Sequence, residues 1–246
     1  MSTAQLRCEE LASVDRIWHL KQSGLMEGLS LEDLNAVVSA CKDRIYSKGE
    51  VVFDQGDPAD SLYILNRGCV RISVVNPDDR EKILGVYTAG VLGENVLGSE
   101  ESFQVRATAH EESWISMISS DQLNFLIRKR SAIAINYVKL LSQRLREARQ
   151  DIESHSFLDT EHRLARMLFK LADRHGKSVF GDERMVKLRI AVSHEHLARM
   201  VGGNRPHVSM MMSKFKRRGW ISYQGRKLVI NREAMEGLLS PSHSGV

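Results

Sequence analysis

A chain of 246 residues, 42% hydrophobic and 27% charged, has room for one large or two modest domains with buried cores, and its composition excludes a fibrous or disordered protein. The opening stretch MSTAQLRCEE lacks an apolar h-region, and the most apolar run, SAIAINYVKLL, is short and broken by Asn136 and Lys139, so neither a secretory signal nor a membrane span is expected. The formal charge is only +4, but Val186 to Arg232 holds eleven Lys and Arg against the single acid Glu195, which leaves the rest of the chain net acidic and points to a polyanion-binding module.

In chain order, LSLEDLNAVVSACKDR reads as a short helix capped by Ser30, with Leu34, Val37, Val38 and Cys41 at helical spacing. Short β-rich runs follow at Val51 to Phe53, Leu62 to Leu65, Val70 to Val75 and Ile83 to Tyr87. Turn signals separate them: Gly56-Asp57-Pro58, Arg67-Gly68, Asn76-Pro77-Asp78-Asp79 and Ala89-Gly90. This alternation, continued by FQVRATAHEESWISMI to about Ile118, predicts a small antiparallel barrel or roll.

From Asp121 to about Ser156 the pattern is helical. Ala134, Val138, Leu141, Leu145, Ala148 and Ile152 step by four, three, four, three and four, an a/d seam. The residues around it (Lys139, Gln143, Arg144, Arg146, Glu147, Gln150) are polar, so the seam is narrow and reads as a dimer contact rather than a face packed on its own roll. A new helix starts after Asp159, a good N-cap, with Leu164, Met167, Leu168 and Leu171 as its stripe. The stretch between Ile152 and Asp159 is the expected domain boundary.

VSHEHLARMVGGNRPHVSMMMSKFKRRG then fits a helix-turn-helix. Ser193 caps a first helix carrying Leu197, Ala198 and Val201, and Gly202 supplies the positive φ of a tight turn. Asn204 caps a second helix that tolerates Pro206 in its first turn. At about 100° per residue Val208, Met211, Met212 and Phe215 face inward, while Pro206, Met210, Ser213 and Arg217 face outward. GWISYQGRKLVI reads as a two-stranded wing around Gln224-Gly225. The expected partner is double-stranded DNA. Its candidate contacts are Ser193, Asn204, Arg205, Pro206, His207, Ser209, Met210, Ser213, Lys214 and Arg217, with Arg205, Pro206, Ser209, Met210 and Ser213 towards base edges. Lys214, Lys216, Arg217 and Arg218 come later in the helix and are expected on phosphates.

Over roughly residues 25 to 235 the chain resembles the Crp–Fnr superfamily of bacterial transcription regulators. The resemblance is carried by Gly49, Gly56-Asp57, LYILNRG ending at Gly68, Gly93-Glu94, the long helix, the hinge-like FLD at Phe157 to Asp159 and the winged helix. It implies an α+β protein: an N-terminal extension (1–24), a cyclic-nucleotide-binding-like β-roll (25–130), a dimerisation helix (131–156), a winged helix-turn-helix (157–236) and a tail (237–246). It further implies a homodimer, not an enzyme, that binds an inverted-repeat operator and acts through RNA polymerase; Cys8, Cys41 and Cys69, an odd number with no CxxC pair, fit a reduced cytoplasm.

Within that resemblance the effector pocket falls on Gly93, Glu94, Glu101, Ser102, Arg106 and Arg149. Nucleotide-binding members follow Gly-Glu with an Arg-Ser or Arg-Ala pair whose Arg neutralises the phosphate. Here Glu101-Ser102 takes that place, Arg106 comes later, and Ala148-Arg149 replaces the small hydroxyl residues of the long helix. A glutamate facing a phosphate is repulsive, so the effector is left open, with cyclic AMP disfavoured and Gly93-Glu94 readable as a structural turn kept without ligand. Three scattered cysteines cannot supply the four thiolates of an iron–sulfur cluster, although Cys8, Cys41 or Cys69 could act as a redox switch. Pro206 and Met210 stand where relatives carry a Glu and an Arg that read bases, so a different half-site is expected.

Two other classes compete. Beside a cyclic-nucleotide-responsive transcription regulator of the same family, a nucleotide-binding regulatory subunit that acts on an enzyme or channel without binding DNA would use the roll but leaves the helix-turn-helix unexplained. A metal enzyme on a cupin-like barrel lacks ligands: His110 is the only histidine between residues 25 and 130, and His194 and His196 lie on different faces of one helix.

Overall fold

The computed structural model describes residues 17–18, 20–21, 23–98, 101–179 and 182–239. The chain divides into two compact units between Glu147 and Ala148, inside a helix.

In the first unit, helix α1 (Leu31–Ala40) starts where Ser30 accepts from the Asp33 amide at 3.1 Å. Eight strands follow: β1 (Lys42–Tyr46), β2 (Val51–Phe53), β3 (Ser61–Arg67), β4 (Val70–Val75), β5 (Glu81–Tyr87), β6 (Gly90–Leu92), β7 (Arg106–Ala109) and β8 (Ser113–Ser119). They build two antiparallel four-stranded sheets, in the orders β1-β8-β3-β6 and β2-β7-β4-β5. Tyr46, Tyr63, Leu65, Leu92 and Ile115 from the first sheet meet Phe53, Val70, Ala107 and Ala109 from the second in one core, where Phe53 stacks on Phe103 with centroids 4.1 Å apart.

The run LYIL in β3 is apolar at every position because both faces of its sheet are covered. Tyr63 and Leu65 point into the roll, while Leu62 and Ile64 join Val37, Leu123, Leu126, Ile133 and Tyr137 of the flanking helices. Those helices are α1, α2 (Ser120–Lys129) and the start of α3 (Ser131–Phe157). Within the helical pattern from Asp121 to about Ser156 the chain breaks at Arg130, which is extended (φ −134°, ψ 91°) and pairs its guanidinium with Glu32 and Asp33 of α1. No Gly or Pro marks this break, and Arg130 there is tied to α1.

In the second unit the last turns of α3 pack on α4 (Thr160–His175): Asp151 pairs with Lys170, and Arg166 donates to Ser154 Oγ at 2.6 Å. The contact division therefore falls before the stretch between Ile152 and Asp159. Asp159 caps α4, accepting from the His162 amide at 2.8 Å. Next come β9 (Gly176–Val179), β10 (Asp182–Leu188), α5 (His194–Val201), α6 (Arg205–Arg217), β11 (Ile221–Gln224), β12 (Lys227–Asn231) and α7 (Arg232–Leu239), with sheet order β11-β12-β10-β9. The β9–β10 hairpin and α7 carry short, largely polar patterns and are not anticipated from periodicity. Among the described residues no helix is long and apolar enough to cross a membrane.

Candidate nucleic-acid interface and effector pocket

Helices α5 and α6 are built by local chemistry. Ser193 Oγ accepts from the His196 amide at 3.1 Å, and Asn204 Oδ1 accepts from the His207 amide at 2.9 Å. Between them Gly202 takes the left-handed conformation (φ 68°, ψ 36°) that only glycine adopts without strain, and its N–H and that of Gly203 close on the Ala198 carbonyl. Leu197, Ala198 and Val201 of α5 and Val208, Met211, Met212 and Phe215 of α6 are buried. The three consecutive methionines divide: Met211 and Met212 are 3% and 2% exposed, Met210 60%.

The outward face of α6 presents Arg205, Pro206, His207, Met210, Ser213, Lys216 and Arg217, all exposed. Five members of the candidate set are already engaged within the unit. Ser209 Oγ lies 2.9 Å from His194 Nδ1, and Lys214 Nζ lies 2.6 Å from Glu161 Oε2, with Arg218 at 4.0 Å from the same carboxylate. Ser213 donates to the Ser209 carbonyl one turn back, at 3.0 Å. Ser193 and Asn204 spend their side-chain oxygens on caps. A groove between the start of α4 and α6 is lined by Asp159, Thr160, Glu161, His207, Met210, Met211, Lys214 and Arg217.

The wing is a two-residue hairpin. Gln224 pairs with Lys227, and Gly225 at φ 61° leads the turn that exposes Arg226. Lys227 donates to the Arg189 carbonyl at 2.7 Å, and Tyr223 OH sits 3.2 Å from His194 Nε2. Burial, then the nearby Arg205 charge, holds His194 below the usual imidazole range. His194 and Tyr223, like Glu161, are residues that sequence reasoning did not place at the interface; the pattern of one helix cannot show a partner fifteen or more residues away.

In the roll, several residues of the expected pocket have partners of their own. Gly93 makes a tight turn (φ 73°) where a Cβ would come within 3.1 Å of Phe103 and 3.2 Å of the Ser61 carbonyl. The Glu94 carboxylate meets Arg144 Nε at 2.9 Å. Ser102 bridges to Pro58, the Glu101 carbonyl accepts from the Ala59 amide at 3.0 Å, and the Glu101 side chain is exposed. Arg106 opens β7 with both arms on Asp54, at 2.7 and 2.8 Å, and this guanidinium holds the Asp54 carboxyl below its usual range. Arg149 is exposed on α3.

The missed residue here is Arg144. It donates to the Val91 carbonyl at 2.9 Å, stacks 4.5 Å over the Tyr87 ring and lies within 3.5 Å of Glu147. Its spacing of seven from Tyr137 was a legible signal that both share one helix face. The adjacent face of α3 carries the seam: Val138, Leu141, Leu145, Ala148 and Ile152 are exposed, and Ala134 is partly covered. Of the cysteines, Cys69 is buried and its thiol is pushed up to about 12 by burial, which keeps it a thiol rather than a reactive thiolate. Cys41 is half-buried, and Cys8 lies outside the described residues.

Comparison with known proteins agrees with both halves of this geometry. The cyclic nucleotide-binding domain family matches residues 43–130 and the Crp-like helix-turn-helix domain family residues 162–238. A CRP-like cAMP-activated global transcriptional regulator of Mycobacterium tuberculosis is 28% identical over 86% of this chain and 94% of its own. The cyclic AMP receptor protein of Thermus thermophilus is 29% identical over 81% and 88%. Among solved structures, the c-di-GMP-responsive global regulator CLP of Xanthomonas campestris has a TM-score of 0.70 at 25% identity, covering 82% of this chain and 99% of that one. With the roll, the long helix and the winged helix-turn-helix in the same order, the chain belongs to the Crp–Fnr superfamily of transcription regulators.

Proposed function

We propose that the chain is a cytoplasmic homodimer that binds double-stranded DNA at an inverted repeat and regulates transcription through RNA polymerase. The observation that carries this reading is α6, a capped helix anchored by Val208, Met211, Met212 and Phe215 that presents Arg205, Met210, Ser213 and Arg217 to solvent on a unit rich in basic residues. The N-terminal part of such a helix meets base edges in the major groove, and the later cations and the wing meet phosphates. Arg205, Pro206, His207, Met210 and Ser213 take the first role; Arg217, together with Arg226 at the wing tip, takes the second. Two copies joined through Val138, Leu141, Leu145 and Ile152 would set two recognition helices on successive major grooves, about 34 Å apart.

The roll then acts as the sensing domain. Several relatives are named for activation by cAMP, but the place of their phosphate-neutralising arginine carries an acid in this chain. Glu101 stands there, Arg106 is held by Asp54, and Glu94 is held by Arg144. We assign the roll an effector other than cyclic AMP.

Selection of bound duplexes from a random library, followed by gel retardation across a salt series with and without cyclic AMP, tests the whole reading. It predicts an inverted repeat, a steep fall of affinity with salt and no response to cyclic AMP. No retardation at low salt would overturn the DNA-binding reading; a shift with cyclic AMP would overturn the effector assignment alone.

A further inference from the structure

His194 opens α5 and sits between the two other elements that face the DNA side of a winged helix. Its Nδ1 is 2.9 Å from Ser209 Oγ on α6, and its Nε2 is 3.2 Å from Tyr223 OH on β11. One ring therefore joins three separate elements. Burial, then Arg205, keeps the imidazole below its ordinary range, so at neutral pH it is uncharged, with one nitrogen donating and the other accepting. Burial also raises the Tyr223 phenol, which stays a hydroxyl.

What such a link can do follows from the anchoring of α6. The helix is held to its unit by Val208, Met211, Met212 and Phe215, two of which are methionines. Methionine is unbranched and adapts its shape, so it fills space without strongly specifying rotation about the helix axis. A directional hydrogen bond at Ser209 supplies that missing constraint, next to the exposed Met210 and one turn before Ser213. At the other end of the ring Tyr223 is one residue before the turn pair Gln224–Lys227 and so fixes the wing near its tip.

Resting on the DNA-binding reading above, we propose that His194 is a positioning residue: by bonding Ser209 and Tyr223 it sets the register of the recognition helix against the wing, and sequence selectivity depends on it although it need not touch a base. A ring that only stabilised the unit would change the melting temperature without changing which sequences are preferred.

The test compares full-length wild type with His194→Ala, His194→Gln and Tyr223→Phe, using the duplex selected by the wild type and an unrelated duplex of equal length. His194→Ala and Tyr223→Phe should lower the ratio of selected to unrelated affinity, by roughly tenfold for His194→Ala, while affinity for the unrelated duplex and its salt slope stay as in wild type. His194→Gln should recover most of the ratio, because an amide also offers a donor and an acceptor. An unchanged ratio in both His194→Ala and Tyr223→Phe, or a parallel loss on both duplexes, would overturn the proposal. Should His194→Ala fail to fold, Tyr223→Phe decides alone. If the wild type itself selects no duplex, the DNA-binding reading fails first, a result distinct from loss of selectivity in the variants.

Discussion

Arg144 Nε stands 2.9 Å from Glu94 Oε1, joining the long helix to the carboxylate of the Gly93-Glu94 turn in the roll. Tyr137, two turns earlier on the same helix, donates its hydroxyl to the Glu94 carbonyl. The turn is thus held from one helix at both its side chain and its backbone. The two charged side chains are 20% and 29% exposed, so solvent screens the pair less than it would a surface pair.

Replacing either partner strands the other in a partly covered site. Arg144→Ala is expected to destabilise the protein by about 1–3 kcal/mol, and a double-mutant cycle with Glu94→Gln should show coupling on the order of 1 kcal/mol. Denaturant unfolding measures both. Strictly additive single variants would show that the pair is geometric only.

Glu161 holds Lys214 at 2.6 Å and Arg218 at 4.0 Å, and so competes with phosphates for two cations of the recognition helix region. Glu161→Gln should tighten non-specific DNA binding at low salt. Each cation newly placed on a phosphate should steepen the log–log salt slope by about 0.9. A slope equal to wild type would mean that neither cation reaches the backbone.

Arg205 and Met210 are exposed at the start of α6. Arg205→Ala should cost about 1–3 kcal/mol on the selected duplex and much less on an unrelated one. Met210 has no donor for guanine but can pack on a thymine methyl, so Met210→Arg should change the selected half-site at one position. An identical selected sequence would make Met210 a bystander.

The seam on α3 leaves Val138 61%, Leu145 53% and Ile152 66% exposed, more apolar surface than one helix of a soluble unit ordinarily shows to water. Leu145→Glu should yield monomers with weak operator binding, because each partner would then bury a charge opposite apolar side chains. Sedimentation velocity at micromolar concentration reads this directly; an intact dimer would rule out the seam as the contact.

Asp159 caps α4, and its amide and imidazole contacts with His162 hold its carboxyl below the usual range. A depressed folded-state pKa contributes stability that is present above the unfolded value, about 3.9, and is lost as pH falls through the folded one. Asp159→Ala should therefore lower stability at pH 7 by roughly 1 kcal/mol and leave a smaller difference from wild type near pH 3. A difference independent of pH would assign the effect to something other than the ionised cap. The side chain is largely exposed, so the electrostatic share is small.

Local signals carried most of the architecture. Strand β2 and strand β4 have the bounds that their β-branched runs indicate, and Ser30, Asp159, Ser193 and Asn204 each cap the helix they precede. The division of the methionines was legible too, because a rotation of about 100° per residue already turns Met210 away from Met211 and Met212. Caps, turns and periodicity act within a few residues, so one sequence contains all the information they need.

What the tertiary structure decided are the partners of charged and polar groups far apart in the chain. Arg106, a pocket candidate that comes late after Glu94 in sequence, has both its arms on Asp54, fifty-two residues away. Lys214, a candidate phosphate contact, stands beside Glu161, and Arg144, an outer residue of the seam by sequence, is enclosed by Glu94 and Tyr87. His194 looked like half of a poor metal pair and is instead the bridge between Ser209 and Tyr223. A long polar side chain has many places to put its charge, and only the folded chain, which brings distant carboxylates and hydroxyls within reach, selects among them.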